Sequence, residues 1–430
     1  MEYLERILFK ELQKWDGRRE LFAIKGPRQV GKTTLLEMYR VWLLKKGVNE
    51  KNIIFITFED REMLEKFEKD PLNFVNRFVD AKSRFYFFLD EAHYLHGIGQ
   101  KIKLIYDKYP NVKIIITGSS SLELISQTAK YLVGRMFSFE LLPFNFHEFL
   151  LAKDPSLAKI YSKCRTMVRA LITKRKNFNI PKNDIIISDL LKYLEEYLIF
   201  GGYPAVVLAK NNEEKFIVLK NIFNTYLEKD IISFLQITDS AKFRKIVSIL
   251  ALTCGNILSY NSLATNAGGY FKEIMHIIDV LEQTYIMRRV RPFYANLVTE
   301  LRKNPKVYFL DSGIRNYAIQ NFSELDTRSD KGHLAENFAY NALNEISEGQ
   351  NLHFWRTTSK AEVDFVVDKS SFLIPVEVKF EPFKKERISK SMRSFISVYS
   401  PEFAIIATKD FFGELKIGKT IVKFIPLVYL

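Results

Sequence analysis

Two cysteines, Cys164 and Cys254, are too few to staple a chain of 430 residues, and no Cys/His cluster has zinc-ligand spacing. Both read as packed thiols. Long hydrophobic runs are missing as well: none approaches the roughly 18 uncharged residues needed to cross a bilayer. The opening stretch, MEYLERILFKELQKW, is charged and amphipathic, with neither the apolar centre nor the small-residue cleavage site of a secretory leader. These absences exclude a disulfide scaffold and a membrane span, and the expectation is a cytoplasmic protein with no membrane partner. With 47% hydrophobic and 27% charged residues the composition is globular rather than disordered. At roughly 150 residues per domain, the length suggests about three domains.

Acidic residues are in short supply. Fifty Asp+Glu face 64 Lys+Arg, a formal charge of +14 that favours an anionic partner, nucleic acid being the commonest. Between Ala241 and Lys306 ten Lys/Arg oppose four Asp/Glu, so that segment alone contributes +6.

The strongest signal is LFAIKGPRQVGKTTLLEMYRVWLL. An apolar run, Leu21 to Ile24, leads into Gly26-Pro27-Arg28-Gln29-Val30-Gly31-Lys32-Thr33-Thr34, which contains GxxxxGK[ST], and a helical pattern follows. That strand–loop–helix context is what a phosphate-binding loop requires. Glycines let backbone N–H groups curl around phosphate oxygens, and a helix N-terminus adds partial positive charge. Lys32 is expected at the β- and γ-phosphates of ATP and Thr33 at Mg²⁺. A second apolar run, RFYFFLDEAHYL, ends in Asp90 and Glu91, the arrangement of a Walker B element. Asp90 is expected to hold Mg²⁺ and Glu91 to polarise the attacking water. Ile53 to Phe58 reads as another strand between these two. VKIIITGSSS reaches a polar end at Thr117 to Ser121, and Ser119 is the candidate for sensing the γ-phosphate. The DEAH tetrad at Asp90 to His93 invites a helicase reading, but nothing downstream resembles a second motor domain, and His93 is expected to be structural.

GPRQVGKTT, FLDEAH, ITGSSS and LVGRMFSFELLPFNFHEFL together resemble a family of archaeal and bacterial AAA-type P-loop ATPases that carry a distinctive C-terminal domain. The resemblance implies a role for Gly134-Arg135: Arg135 is expected to stabilise transition-state charge on the phosphates, in cis or from a neighbouring subunit of a homo-oligomer. LIFGGYPAVVLA and KVYFLDSGIR also resemble that family. Gly201-Gly202-Tyr203-Pro204 suggests a sharp turn between helices. RALITKRKNFNIPKND reads as a solvated basic loop.

From Ala241 three short helical segments precede an apolar–basic hairpin, the pattern of a winged helix whose Arg288, Arg289 and Arg291 are expected to contact DNA phosphates. After Asp311 the order α-β-β-β-α-β is the core of a restriction-endonuclease-like fold. Asp364 followed by Glu377-x-Lys379 matches its D…ExK signature, although Val363 stands where the signature has proline. Side chains alternate along a strand, so Glu377 and Lys379 share a face, where Asp364 from the neighbouring strand is expected to join them. Asp364, Glu377 and Glu336 on the preceding helix are the candidate ligands of Mg²⁺, and Lys379 the group that orients water.

The expectation is therefore an α/β multidomain chain: an AAA-type P-loop ATPase domain with a parallel sheet over 1–150, a helical lid over 151–240, a winged helix over 241–320, and a restriction-endonuclease-like α/β domain over 321–430. Its expected function is ATP binding and hydrolysis in association with DNA, with a candidate nuclease site at the C-terminus. One alternative is a non-cutting regulator whose nuclease-like domain binds DNA or protein. The other is a general ATPase whose basic surface binds RNA or an acidic protein.

Overall fold

Five fully buried residues, Leu21–Lys25, form the first strand (β1) of a computed structural model that describes residues 3–118, 131–179, 185–226, 239–293, 303–347 and 351–430. The chain divides into two units, Met1–Phe144 with Gln283–Tyr285, and Asn145–Glu282 with Ile286–Leu430.

In the first unit β1 lies in a five-stranded sheet with β2 (Ile53–Thr57), β3 (Phe85–Asp90), β4 (Val112–Gly118) and β5 (Met136–Glu140), in the order β2-β3-β4-β1-β5 and parallel throughout. Parallel strands covered on both faces read as unbroken apolar runs. The three inner strands are buried along their whole lengths and largely apolar, with Lys113 the one charge inside a run, whereas edge strand β2 alternates buried and half-buried residues. The strand that separates β1 from β3 is β4; Ile53 to Phe58, which lies between them in sequence, supplies the outer edge.

The second unit begins with helices Phe146–Lys153, Pro155–Lys174, Ile187–Phe200 and Asn212–Ile222. The basic stretch expected as loop begins as helix. Its first six residues complete Pro155–Lys174, because Val168, Leu171 and Ile172 bury one face of that helix. Helices Ser240–Leu252, Tyr260–Ala267 and Phe271–Gln283 then precede an antiparallel hairpin, β6 (Met287–Val290) with β7 (Lys306–Phe309).

Next comes helix Lys331–Ile346 and a six-stranded mixed sheet of β8 (Leu352–Arg356), β9 (Glu362–Asp368), β10 (Leu373–Lys379), β11 (Phe403–Thr408), β12 (Gly413–Ile417) and β13 (Thr420–Pro426). Its order is β12-β13-β11-β10-β9-β8, and helix Lys390–Tyr399 connects β10 to the parallel β11.

Two motifs far apart in sequence interlock within this unit. Asp311 caps helix Ser312–Ala318 by accepting from the Ile314 N–H at 2.9 Å, and its other oxygen accepts from the Gly202 N–H at 2.7 Å. A Cβ on Gly201, which has φ of 79°, would stand 2.4 Å from Asp311 Oδ1, and one on Gly313 only 2.1 Å from the Phe200 carbonyl oxygen. Both glycines are therefore demanded by close approach. Buried Arg315 and Arg328 share the Asp330 carboxylate, and Asn316 donates to the Leu198 and Ile199 carbonyls at 2.9 and 2.8 Å.

Both cysteines are buried and neither is in a disulfide; Cys254 donates to Asn337 Oδ1 at 3.2 Å, and burial pushes its thiol up to about 12.

Candidate functional site

The loop after β1 is shaped by its own backbone. A Cβ on Gly26 would collide with the Leu141 carbonyl oxygen at 2.0 Å, and Gln29 and Gly31 take left-handed φ of 62° and 91°. Helix Lys32–Lys45 starts immediately after Gly31, so its unpaired N–H groups face the loop concavity. Behind it, buried Arg6 donates to the Val30 carbonyl at 2.9 Å and the Leu142 carbonyl at 2.7 Å, bracing the loop from outside. Arg6 sits at the edge of an amphipathic N-terminal helix and has no sequence signature.

Lys32 is buried. Its ammonium donates to the Gly26 and Pro27 carbonyls at 3.1 and 3.0 Å and stands 3.9 Å from Glu91 Oε1. Burial lowers its pKa, with Glu91 and Asp90 opposing. The Thr33 hydroxyl donates to Asp90 Oδ2 at 2.7 Å, which brings the two candidate Mg²⁺ ligands from the helix start and the end of β3 into contact. Thr117, at the end of β4, donates its hydroxyl to the other Asp90 oxygen and accepts from the Glu91 N–H at 3.1 Å. Sequence reading noted Thr117 only as the start of a polar strand end; its place in this network follows from β4 lying beside β3. Ser119 lies outside the described residues.

Glu91 occupies the left-handed region at φ 49°, ψ 45°, a conformation that costs a non-glycine residue of order 1 kcal/mol or more and clusters at functional sites. Burial works against its charge, but His93, Lys32 and Arg28 prevail and hold the carboxyl below its ordinary range. His93, expected to be structural, stands with Nδ1 3.0 Å from Glu91 Oε2.

Arg135 is not brought to this site in its own chain. Met136 pairs with Leu21, and the Arg135 carbonyl accepts from the Leu21 N–H, so Arg135 lies at the start of β1 while the loop leaves from its end. Five strand residues separate those levels, about 17 Å. Arg135 instead faces Asp107 at 3.5 Å.

In the second unit the C-terminal carboxylates meet the protein's own cations. Asn337 clamps helix Lys331–Ile346 onto β7, accepting from the Phe309 N–H at 2.8 Å and donating to its carbonyl at 3.0 Å. That seating places Glu336 against β7, where it accepts from the Lys306 ammonium at 3.0 Å and the Tyr308 hydroxyl at 2.5 Å. Lys306 also pairs with Glu362 at 2.8 Å. Its desolvation is outweighed by Glu336, Asp364 and Glu362, and its pKa is raised.

Asp364 is one step beyond the Val376–Phe365 pair, opposite Glu377 in the β9–β10 register, and its carboxylate accepts from the Val378 N–H at 2.7 Å. Burial first, and the Glu336 charge second, push its carboxyl up. Glu377 is buried, bonded to the Ser389 hydroxyl at 2.7 Å and paired with Lys379 at 2.9 Å.

Glu336, Asp364 and Glu377 were expected as ligands of one metal. Among the described residues no group of three or more His, Cys, Asp or Glu is arranged to hold a metal ion. Lys306 lies on Glu336 and Lys379 on Glu377.

The hairpin arginines are also engaged internally. Arg289 pairs with Glu282 and with Asp279 at 2.8 Å, and Arg288 donates to the Glu282 carbonyl at 3.1 Å. Arg289 therefore braces the hairpin on the helix before it. Beside it a cavity of about 290 Å³ is lined by Ser259, Tyr260, Asn261, Arg291 and Lys303 among others.

Comparison with known proteins agrees with the first unit's geometry. Residues 18–150 match the model of an AAA domain. Residues 191–325 and 331–429 match two domains of unknown function, DUF8612 and DUF4143. The first unit thus carries a P-loop AAA-type domain, followed by a region that ends in a mixed α/β sheet. An uncharacterized protein of Haemophilus influenzae is 24% identical over 84% of this chain and 82% of its own length. An uncharacterized protein of Methanocaldococcus jannaschii is 27% identical over 87% and 78%. Among solved structures, a Walker-type ATPase of Pyrococcus abyssi covers 74% of this chain and 96% of its own at 17% identity, with a TM-score of 0.46. No described helix is long and apolar enough to cross a membrane.

Proposed function

We propose that this protein binds and hydrolyses ATP with Mg²⁺ and works in association with DNA. The observation that carries the reading is the meeting of Thr33 and Asp90 at 2.7 Å beside Lys32 and Glu91. Mg²⁺ takes one or two protein oxygens plus phosphate oxygens and waters, and these two residues fit that need. When bound, the ion supplies charge neutralisation at the β- and γ-phosphates. Lys32 exchanges its loop carbonyls for phosphate oxygens, the loop N–H groups hold the β-phosphate, and Glu91 accepts a proton from the attacking water. Arg135 fits only the role of a group supplied to a neighbouring subunit.

The test is steady-state hydrolysis with and without DNA. Lys32→Ala should abolish turnover, and Glu91→Gln should bind ATP but hydrolyse it slowly. Wild-type turnover in Lys32→Ala would sink the assignment, and an ATPase indifferent to DNA would sink the DNA part.

A second reading concerns the C-terminal centre. Three helices and a hairpin read as a winged helix, and the α-β-β-β-α-β order with Asp364, Glu377 and Lys379 reads as restriction-endonuclease-like. The buried Lys306 ammonium between Glu336 and Glu362 favours the non-cutting alternative. The domain then serves as a binding module. Cleavage of any linear, circular or single-stranded DNA with Mg²⁺ or Mn²⁺, lost in Asp364→Asn, would restore the nuclease reading.

A further inference from the structure

The histidine of the DEAH tetrad has no part in the ATPase scheme above, yet it is placed against the group on which that scheme turns. We propose that His93 is a positioning residue that anchors one oxygen of Glu91, so that the other faces the water that attacks ATP. The inference rests on the ATPase reading.

Three observations carry it. The first is the division of the carboxylate. Glu91 Oε1 is the oxygen toward Lys32, at 3.9 Å, on the side where the phosphates bind; Oε2 is the oxygen toward His93 Nδ1, at 3.0 Å. The second is burial without any other outlet. The His93 side chain is 9% exposed, and neither Glu91 Oε2 nor His93 Nδ1 has a well-aligned hydrogen-bond partner among the described residues. A buried polar atom left in that condition costs about 1–3 kcal/mol, so the two atoms have every reason to close on each other. Catalytic hydrogen bonds that are poorly aligned without substrate commonly tighten when it binds. The third is that both residues are themselves held. The Glu91 backbone sits in the left-handed region with its N–H on Thr117, and the His93 ring lies on Tyr94 with centroids 4.2 Å apart.

The consequence follows from what nucleotide does to Lys32. At present Lys32 and His93 hold the carboxylate from two sides. When Lys32 turns to the phosphates, the first restraint weakens and His93 Nδ1 is the one that remains. In the reaction the water oxygen bonds to the γ-phosphorus as the bridging oxygen to the β-phosphorus leaves, and the water's proton passes to Glu91 Oε1. Anchoring Oε2 keeps Oε1 within reach of that water, and a general base in place contributes about 10²–10⁴-fold. His93 touches neither nucleotide nor water, so its share should appear in kcat and not in binding.

The experiment compares ATP turnover and binding of a fluorescent ATP analogue in wild type, His93→Ala, His93→Asn, His93→Gln, Glu91→Gln and the double variant Glu91→Gln/His93→Ala. His93→Ala should lower kcat about tenfold or more and leave KM and nucleotide affinity within about twofold, the retained affinity showing that the site still folds. Asn carries an N–H close to the Nδ1 position and should recover part of the loss; Gln places its N–H where Nε2 was and should recover less. In the Glu91→Gln background His93→Ala should cost little more, because the group it positions is gone. Turnover in His93→Ala equal to or above wild type would overturn the inference. So would a further tenfold loss in the double variant, or a fall in nucleotide affinity that accounts for the loss. Wild-type protein without measurable ATP turnover would instead remove the ATPase reading itself, which is a different result from a wild-type rate that His93→Ala leaves untouched.

Discussion

Lys306→Met removes the charge from a buried ammonium while keeping most of the side-chain volume. In the native protein that ammonium, 2% exposed, holds Glu336 at 3.0 Å and Glu362 at 2.8 Å, with Asp364 near enough to raise its pKa. Breaking a buried ion pair by removing one partner costs about 3–5 kcal/mol, because the other charge stays behind. Glu336 and Glu362 keep 14% and 26% exposure, which relieves part of that penalty, so the lower end, about 3 kcal/mol, is expected. The loss should depend on pH. Burial and the Glu336 charge already push the Asp364 carboxyl up, and Lys306 opposes them; without Lys306 it rises further above its unfolded value, so the folded variant binds the extra proton and regains stability as pH falls. Urea unfolding at pH 7.5 and pH 5 is the assay, and the gap between variant and wild type should narrow at pH 5. A loss below about 1 kcal/mol at pH 7.5, or a gap that does not narrow, would refute the account of Lys306 as the resident counter-charge.

Asp330→Asn should destabilise by about 3 kcal/mol in the same assay, because it leaves two buried guanidiniums short of a carboxylate. Burial opposes the Asp330 charge, but Arg328 and Arg315 hold its pKa well below the ordinary 3.8; the stabilisation is thus fully present above that value and lost as pH falls from there through the lower folded value, a limb that Asp330→Asn should lack. Gly313→Ala should cost about 2–3 kcal/mol through collision with the Phe200 carbonyl, while Gly332→Ala, whose Cβ meets nothing within 4 Å on a helix, should be neutral or stabilising by a few tenths of a kcal/mol. Lys303→Ala should lower the salt slope of DNA binding by about one, whereas Arg289→Ala, which removes a brace on Glu282, should lower the melting temperature; equal salt slopes in wild type and Lys303→Ala would move the phosphate contact elsewhere.

What sequence could and could not reveal divides along physical lines. The inner strands β1, β3 and β4 were legible because burial on both faces leaves unbroken apolar runs, and the loop was legible because its chemistry is local: glycines, lysine and hydroxyl within a few positions. Gly201 and Gly202 announced a turn, but not that Asp311 would close it from 109 positions away. For Arg135 the sequence leaves open action in cis or in trans, because adjacency to a strand says nothing about which end of the sheet it occupies. His93 is expected from sequence to be structural, and its distance of 3.0 Å from Glu91 follows only from the turn after β3. Lys306 is one of the ten basic residues that give its segment a charge of +6; its carboxylate partners come 30 and 56 positions later, and only the seating of Asn337 on β7 brings the first of them close. Charge counts along a chain register an excess without recording what each cation faces.

That difference in surroundings separates the two lysine-carboxylate sites chemically. Lys32 is satisfied by two neutral carbonyls, and the nearer of the two carboxylates that attract it, Glu91, stands 3.9 Å away, an attraction of roughly 4 kcal/mol at an effective dielectric of 20. A nucleotide triphosphate brings more negative charge than it displaces, so exchanging those partners for phosphate oxygens is favourable. Lys306 faces two carboxylates at 3.0 and 2.8 Å, roughly 11 kcal/mol on the same scale before desolvation. An arriving anion would be repelled by Glu336 and Glu362, and an arriving cation would have to evict an ammonium whose strand is paired along its length with β6. The same residue types therefore make an exchangeable site in the first unit and a self-neutralised one in the second. On our reading the loop is the exchangeable site, whereas in the C-terminal centre Lys306 and its carboxylates neutralise one another.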